Sequence, residues 1–164
     1  MARIVVILIA FVFSVSTSSA QTKEQWIDLG TRIHGGFGVL IPLGIKIGLD
    51  ARERLKAEPR GITVHYYTGE RAPCPCVADG VMLATQASPG QGTLVIVPEK
   101  AAPGLFASIV IRDRKTGEGF RYNIPGDLGP KFIEWNKSLD PAARYDVIMN
   151  GDKLFDVTPE PKSN

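Results

Sequence analysis

The chain has 164 residues, with 19 Lys and Arg against 17 Asp and Glu and a formal net charge of +2. This near balance, without a basic stripe, argues against a nucleic-acid-binding protein. The length and a hydrophobic fraction of 44% are enough for one domain with a core of its own.

The first 20 residues are predicted to be a cleavable signal peptide. A short basic start precedes the apolar run 4–15, and Ser18-Ser19-Ala20 offers small residues for cleavage. The apolar run is shorter than the roughly 20 residues that cross a membrane, so an uncleaved anchor is only the alternative. We therefore expect an exported protein, periplasmic or secreted, that works in an oxidising compartment and away from the membrane after cleavage.

The folded domain is predicted to cover residues 21–158, before a polar tail at 159–164. A short helical signal surrounds Trp26, and His34 falls in the glycine loop that follows. Apolar residues then recur at three- and four-residue steps, which predicts a helix over 39–57.

Two glycines of this helix, Gly44 and Gly48, lie one turn apart on the same face. Each costs the helix about 1 kcal/mol relative to alanine. Either another backbone approaches this face closely, or a packed helix tolerates the glycines. The same face, or a sheet edge, could pair two copies of the chain in a homo-oligomer.

A β-branched and aromatic run predicts a strand at Ile62–Thr68, in which His65 and Ile62 point to opposite faces. A short helix from about Cys76 ends near Ser88-Pro89-Gly90. Connections that contain proline or glycine separate three further strands, predicted at 93–97, 105–112 and 119–124.

Asp127 is predicted to cap a helix that runs through Trp135. Residues 145–149 and 153–157 flank Asn150-Gly151, which predicts a β-hairpin. The order of elements predicts a single α+β domain with an α-β-α-β-β-β core, one sheet packed against helices, and a C-terminal helix and β-hairpin.

The residues able to bind a transition metal are few. The sequence contains only His34, His65, Cys74 and Cys76 as imidazole or thiol donors. Zinc prefers such ligands in tetrahedral sets, although Cys-x-Cys spacing is not diagnostic. A disulfide across Pro75 would close a very small ring and constrain little of the unfolded chain, so structural stapling explains the pair poorly.

Other interpretations of these residues stay open. Cys76 lies at a predicted helix N-terminus, which stabilises thiolate and suits a thiol-active enzyme, or it is a small buried hydrophobe. His65 could be a histidine satisfied within the sheet. The loop at 88–92 lacks the Lys and the following helix of a P-loop, and is predicted to be a turn with a positive φ that lines a pocket.

Two blocks of the sequence carry a family resemblance. The first runs from His34-Gly35-Gly36 to Gly44-Ile45-Lys46-Ile47-Gly48, and the second combines Cys76-Val77-Ala78-Asp79 with residues 85–94. Without gaps and in the right order, they resemble the signatures of the FmdE family of formylmethanofuran dehydrogenase proteins, over roughly residues 30–125. The resemblance implies an α-β-α-β-β-β core with a mixed sheet, and a metal site usually thought to bind zinc.

The sequence departs from the family pattern at three ligand positions. Gly36, Gly38 and Ala87 stand where the pattern has His, Cys and Cys. His34, Cys76 and Asp79 remain, and Cys74 is an addition that could replace a lost thiolate.

Together with the predicted signal peptide, the resemblance therefore implies an exported metal-binding protein with a partly degenerate zinc site. Its ligands would be His34, Cys74 and Cys76, with Asp79 or His65 completing or orienting the site. The alternative is a metal-free module that binds a small molecule between the His34 loop and the loop at 88–92. No reaction is identifiable, and an accessory or binding role is favoured over catalysis.

Overall fold

The computed structural model describes residues 21–162. Within this range it has five helices and five strands. The helices are α1 (Lys23–His34), α2 (Leu40–Leu55), α3 (Val77–Thr85), α4 (Gly129–Ser138) and α5 (Pro141–Met149). The strands are β1 (Ile62–Thr68), β2 (Leu94–Val97), β3 (Leu105–Asp113), β4 (Gly119–Pro125) and β5 (Asp156–Glu160).

The strands form one mixed sheet in the order β2-β1-β3-β4-β5. β1 and β2 are parallel, with Val64 opposite Leu94, and the other neighbours are antiparallel, with Tyr66 opposite Ile109. A parallel pair cannot be joined by a tight turn, and α3 provides the crossover that it requires. The predicted α+β domain is confirmed.

The core lies between one face of the sheet and the helices. Ile62, Val64 and Tyr66 of β1 are fully buried in a cluster that also contains Leu43 of α2 and Val81 of α3. The intervening residues of β1 point to the other face and are only partly buried. This alternation follows from the two-residue period of a strand.

Glycines allow α2 and α3 to pack backbone against backbone. An ideal Cβ atom added to Gly44 would lie 2.8 Å from Gly80 Cα, and one added to Gly80 would lie 2.8 Å from Gly44 Cα. On Gly48 it would lie 2.7 Å from the Cβ atom of Ala84. Of the two explanations for the α2 glycines, close approach of another backbone is therefore correct.

The predicted hairpin around Asn150-Gly151 is wrong, because residues 141–149 are helical. Asp140 accepts a hydrogen bond from the Ala143 amide at 2.8 Å and so caps α5. At the other end, the Lys46 ammonium donates to the carbonyl oxygens of Ile148 and Met149, each at 3.1 Å. A cation from α2 thus stabilises this helix end, and Asn150-Gly151 terminates a helix instead of joining two strands.

Two further boundaries differ from the prediction. His34 is the last residue of α1 and not part of the loop, which begins at Gly35 with a φ of 82°. Thr22 and Gln25 form a capping box that starts this longer helix. Asp127 does not cap α4; it lies in a 3-10 turn, Gly126–Leu128, and the residue at the cap is Leu128, without a side-chain bond.

The chain termini are described only in part. The predicted signal peptide lies outside the described residues, as do residues 163–164. β5 extends to Glu160, within the segment predicted as a polar tail. Between residues 21 and 162, no helix is both long enough and apolar enough to cross a membrane.

Candidate functional site

Cys74 and Cys76 are joined in a disulfide directly before α3, and the bond closes the very small ring that makes structural stapling a poor explanation of the pair. Their Cα atoms are 5.2 Å apart, a separation that a disulfide spans. Both residues are partly buried. The small size of the ring limits what the bond contributes to folding, but it does not prevent the bond from forming.

His34 and Asp79 are in direct contact. His34 Nδ1 lies 2.7 Å from Asp79 Oδ2, and their side chains are 31% and 39% exposed. His34 ends α1, and Asp79 lies in the first turn of α3. The packing of α1 against α3 therefore places an imidazole and a carboxylate side by side at the surface.

The start of α3 also connects this pair to the disulfide. The Asp79 amide donates to the Cys76 carbonyl oxygen at 3.2 Å, so one helical turn holds both residues. Cys76 further packs against the small hydrophobic cluster that contains Phe37 and Ile41, next to the end of α1. Three of the predicted ligands thus belong to one neighbourhood, and Cys74 joins it through the disulfide.

His65 lies elsewhere. In β1 it is opposite Val95 of β2 and Val110 of β3, and it alternates with Val64 and Tyr66, which face the helices. The sheet therefore separates the His65 side chain from α3. The structure does not bring His65 to the other predicted ligands.

The state of the two sulfurs decides whether these residues suit zinc. Zinc coordination by cysteine requires thiolate sulfur, and both sulfurs are bonded to each other here. Over residues 21–162, no three or more His, Cys, Asp or Glu side chains are grouped so that they could hold a metal ion. The disulfide form therefore does not fit a four-ligand zinc site.

A cavity of about 750 Å³ lies at the carboxyl end of β1. Its walls are mainly apolar, and the residues that line it come from four parts of the chain. Polar side chains are contributed by Glu70, Arg71, Asp127 and Asn136, and large apolar ones by Leu40, Phe106, Phe132 and Ile133. Phe106 and Phe132 meet edge to face with ring centroids 5.5 Å apart, which joins β3 to α4 at the cavity wall.

This cavity is not the pocket that the sequence predicted. The loop at 88–92 contributes no residue to it. That loop precedes β2, which runs parallel to β1, so it lies at the opposite end of the sheet. Gly92 does have a positive φ of 65°, which confirms the predicted turn conformation.

Residues of α4 and α5 fix the segment between α1 and α2. The Val39 amide donates to Asn136 Oδ1 at 2.8 Å, and Arg144 donates to the Phe37 carbonyl oxygen at 3.2 Å. The second arm of Arg144 reaches the Asn136 carbonyl oxygen at 2.6 Å. Sequence reasoning missed Asn136 and Arg144, because no local pattern indicates which distant backbone a side chain will bind.

Two tyrosines, Tyr66 on β1 and Tyr122 on β4, are fully buried. The Tyr122 hydroxyl donates to Asp50 Oδ2 at 2.7 Å, and Arg54 Nε donates to the same oxygen at 2.6 Å. The Tyr66 hydroxyl has no hydrogen-bond partner in the part of the chain that is described. Burial raises the pKa of both tyrosines above the usual value, and the Asp50 carboxylate raises the pKa of Tyr122 further.

Two comparisons with known proteins bear on identity. A family model described as FmdE, molybdenum formylmethanofuran dehydrogenase operon, matches residues 33–150. This range includes α2 to α5, β1 to β4, the disulfide and both members of the His34–Asp79 contact. No curated protein matches the chain.

Proposed function

Since the chain belongs to the FmdE family, we propose that it is a binding protein that holds a small, largely apolar organic molecule at the end of β1. The observation that carries this proposal is the cavity of about 750 Å³. Ligand sites in proteins are concave, mostly apolar, and about 300–1,000 Å³ in volume. The proposal includes export, which rests on the amino-terminal sequence alone.

The cavity wall suggests which part of a ligand each side would contact. Phe106, Phe132 and Ile133 offer an apolar surface for the body of the molecule. Arg71 and Asp127 offer a cation and a carboxylate for a few polar groups. Ile133 is 54% exposed, so this part of the wall is accessible from solvent.

An anilinonaphthalene sulfonate fluorescence titration tests this proposal. We expect saturable binding to the folded protein, and at least a 10-fold weaker affinity in Ile133→Glu, because a charge at the apolar wall must be desolvated. Ile33→Glu is the matched control, since Ile33 is 53% exposed and lies on α1, outside the cavity. An equal loss in both variants, or no binding to the folded protein, would contradict a cavity site.

Metal binding is the second candidate, and the His34–Asp79 contact at 2.7 Å favours it. The proposed zinc ligands are His34, Cys74, Cys76 and Asp79, and His65 is a weaker member because of its position in the sheet. This function requires the reduced form, in which both sulfurs can become thiolates.

Addition of zinc to the reduced protein distinguishes metal binding from binding of an organic molecule. Zinc chloride is added to the reduced protein, and the melting temperature is compared with that of the disulfide form. A ligand that binds only the folded state raises the free energy of unfolding by RT ln(1 + [L]/Kd). Stabilisation by zinc without any fluorophore binding would favour the metal function and count against the binding module. Tight stoichiometric zinc in Cys74→Ser/Cys76→Ser would rule out the cysteines as ligands.

A further inference from the structure

The Cys74–Cys76 disulfide contributes little to holding the fold together. It closes a loop with a sequence separation of two, and the stabilisation from a disulfide falls as the closed loop shortens. The helix that follows is already fixed by other contacts, namely the close approach of Gly80 to Gly44 and the burial of Val77 and Val81. The bond therefore needs an explanation other than stability.

The two sulfurs have different surroundings. Cys76 immediately precedes α3 and packs against both hydrophobic clusters found within residues 21–162. Cys74 packs against one cluster only and lies between Pro73 and Pro75, which are both exposed. An attacking group coming from solvent therefore reaches Cys74 more easily than Cys76.

The position of Cys76 also favours it as the sulfur that leaves. α3 spans nine residues, and the amide groups of its first turn point towards its amino-terminal end. Negative charge that develops on Cys76 Sγ would be stabilised there by the helix dipole. In thiol–disulfide exchange, a better stabilised leaving thiolate departs faster.

We propose that Cys74–Cys76 is an exchange-active disulfide that oxidises a small dithiol. A thiolate of the substrate attacks Cys74 Sγ, the bond between the two protein sulfurs breaks, and Cys76 leaves as a thiolate. The second substrate thiol then attacks the substrate sulfur of the mixed disulfide and releases Cys74.

This sequence of steps balances. Two electrons pass from the substrate to the protein, the substrate becomes a disulfide, and its two thiol protons are taken up by the sulfurs of Cys74 and Cys76. The activity does not depend on the cavity ligand, because every step takes place at the disulfide. The reverse reaction, with a disulfide as the oxidant, restores the starting form.

The test is the rate at which dithiothreitol reduces the folded, disulfide-bonded protein, followed by alkylation and mass measurement. Oxidised glutathione, a disulfide without a surrounding fold, is the reference in the same buffer. We expect the protein to react at least 10-fold faster than the reference. A rate equal to or below the reference, or reduction only at denaturant concentrations that unfold the protein, would overturn the proposal.

A pair of variants, each with one of the two cysteines left, tests which sulfur is attacked. Cys76→Ser is charged with glutathione at Cys74, and Cys74→Ser is charged with glutathione at Cys76. We expect dithiothreitol to release glutathione from Cys74 at least 5-fold faster, since Cys76 is enclosed by both clusters. Equal rates, or faster release from Cys76, would overturn the assignment of Cys74 as the attacked sulfur.

Discussion

Tyr66 and Tyr122 are both fully buried, but only one has its hydroxyl satisfied. Tyr122 donates to Asp50, and Tyr66 has no partner within residues 21–162. A buried polar group without a partner costs free energy, whereas a hydrogen bond to a charged group stabilises. Replacement by phenylalanine should therefore have opposite effects on the free energy of unfolding at the two positions.

We expect Tyr66→Phe to raise the free energy of unfolding by about 1 kcal/mol, because it removes an unsatisfied hydroxyl. Tyr122→Phe should lower it by about 1.5–3 kcal/mol, because the bond to the Asp50 carboxylate is lost. Urea denaturation at pH 7 measures both values. A destabilised Tyr66→Phe would show that the hydroxyl has a partner after all.

At the level of single residues, the sequence predicted part of the candidate site. The family blocks singled out His34 and Asp79, and the structure places them in contact. The bonded state of Cys74 and Cys76 was not anticipated, because the argument from ring size concerns stabilisation and not bond formation. The role of His65 as a ligand stays a prediction, although β1 directs it away from α3.

Among the elements, the contact between α2 and α3 depends most directly on residue size. Gly44 and Gly80 meet where neither has room for a side chain. We expect Gly44→Ala to lower the free energy of unfolding by about 1–3 kcal/mol, since overpacking outweighs the helix propensity of about 1 kcal/mol that alanine gains.

Gly36→Ala is the control for this prediction. A Cβ atom on Gly36 would have nothing within 4 Å. Its effect should stay within about 0.5 kcal/mol, as for most surface substitutions. Thermal or urea denaturation compares the two variants, and equal effects would mean that the helix contact can relax.

The elements that the sequence predicted well have strong local patterns. β1 was predicted with its observed bounds, Ile62–Thr68, and the limits of α2, β2, β3 and β4 are within two residues of those observed. α5 was missed because Asn150-Gly151 is also a common hairpin turn. The Lys46 ammonium, about 100 residues earlier in the chain, binds the carbonyl oxygens at the helix end, a contact that no local pattern indicates.

For the whole molecule, the buried tyrosines predict a loss of stability in alkaline solution. Their pKa values are raised above the usual 10.0, so the folded protein keeps protons that the unfolded chain releases. The contribution of this pKa difference to the free energy of unfolding is complete below pH 10. It is lost as pH rises above 10, by about 1.4 kcal/mol per pH unit for each tyrosine.

Urea denaturation between pH 9 and pH 11 measures this loss. Tyr66→Phe is the control, because it removes one of the two groups and leaves the lysines, which also titrate in this range. Above pH 10 its stability should fall less steeply than that of the wild type, by about 1.4 kcal/mol per pH unit. Parallel curves would mean that Tyr66 does not resist ionisation.

The fold class could be predicted from the order of elements, but the cavity could not. Its walls include Leu40, Arg71, Phe106 and Phe132, from distant parts of the chain. Only the finished packing of α4 against β3 and the start of α2 encloses the space. A pattern within a short window of sequence does not contain that information.

The alternation of β1 has a consequence for how freely the protein can diverge. Ile62, Val64 and Tyr66 belong to the core, whereas Thr63 and His65 between them face away from it. Neighbouring residues of β1 are therefore under different selection. One is selected for the volume of a buried side chain, and the next for the polarity of a side chain outside the core. At Thr63 and His65 the side chain can be changed, by evolution or by an engineer, while the interior keeps its shape.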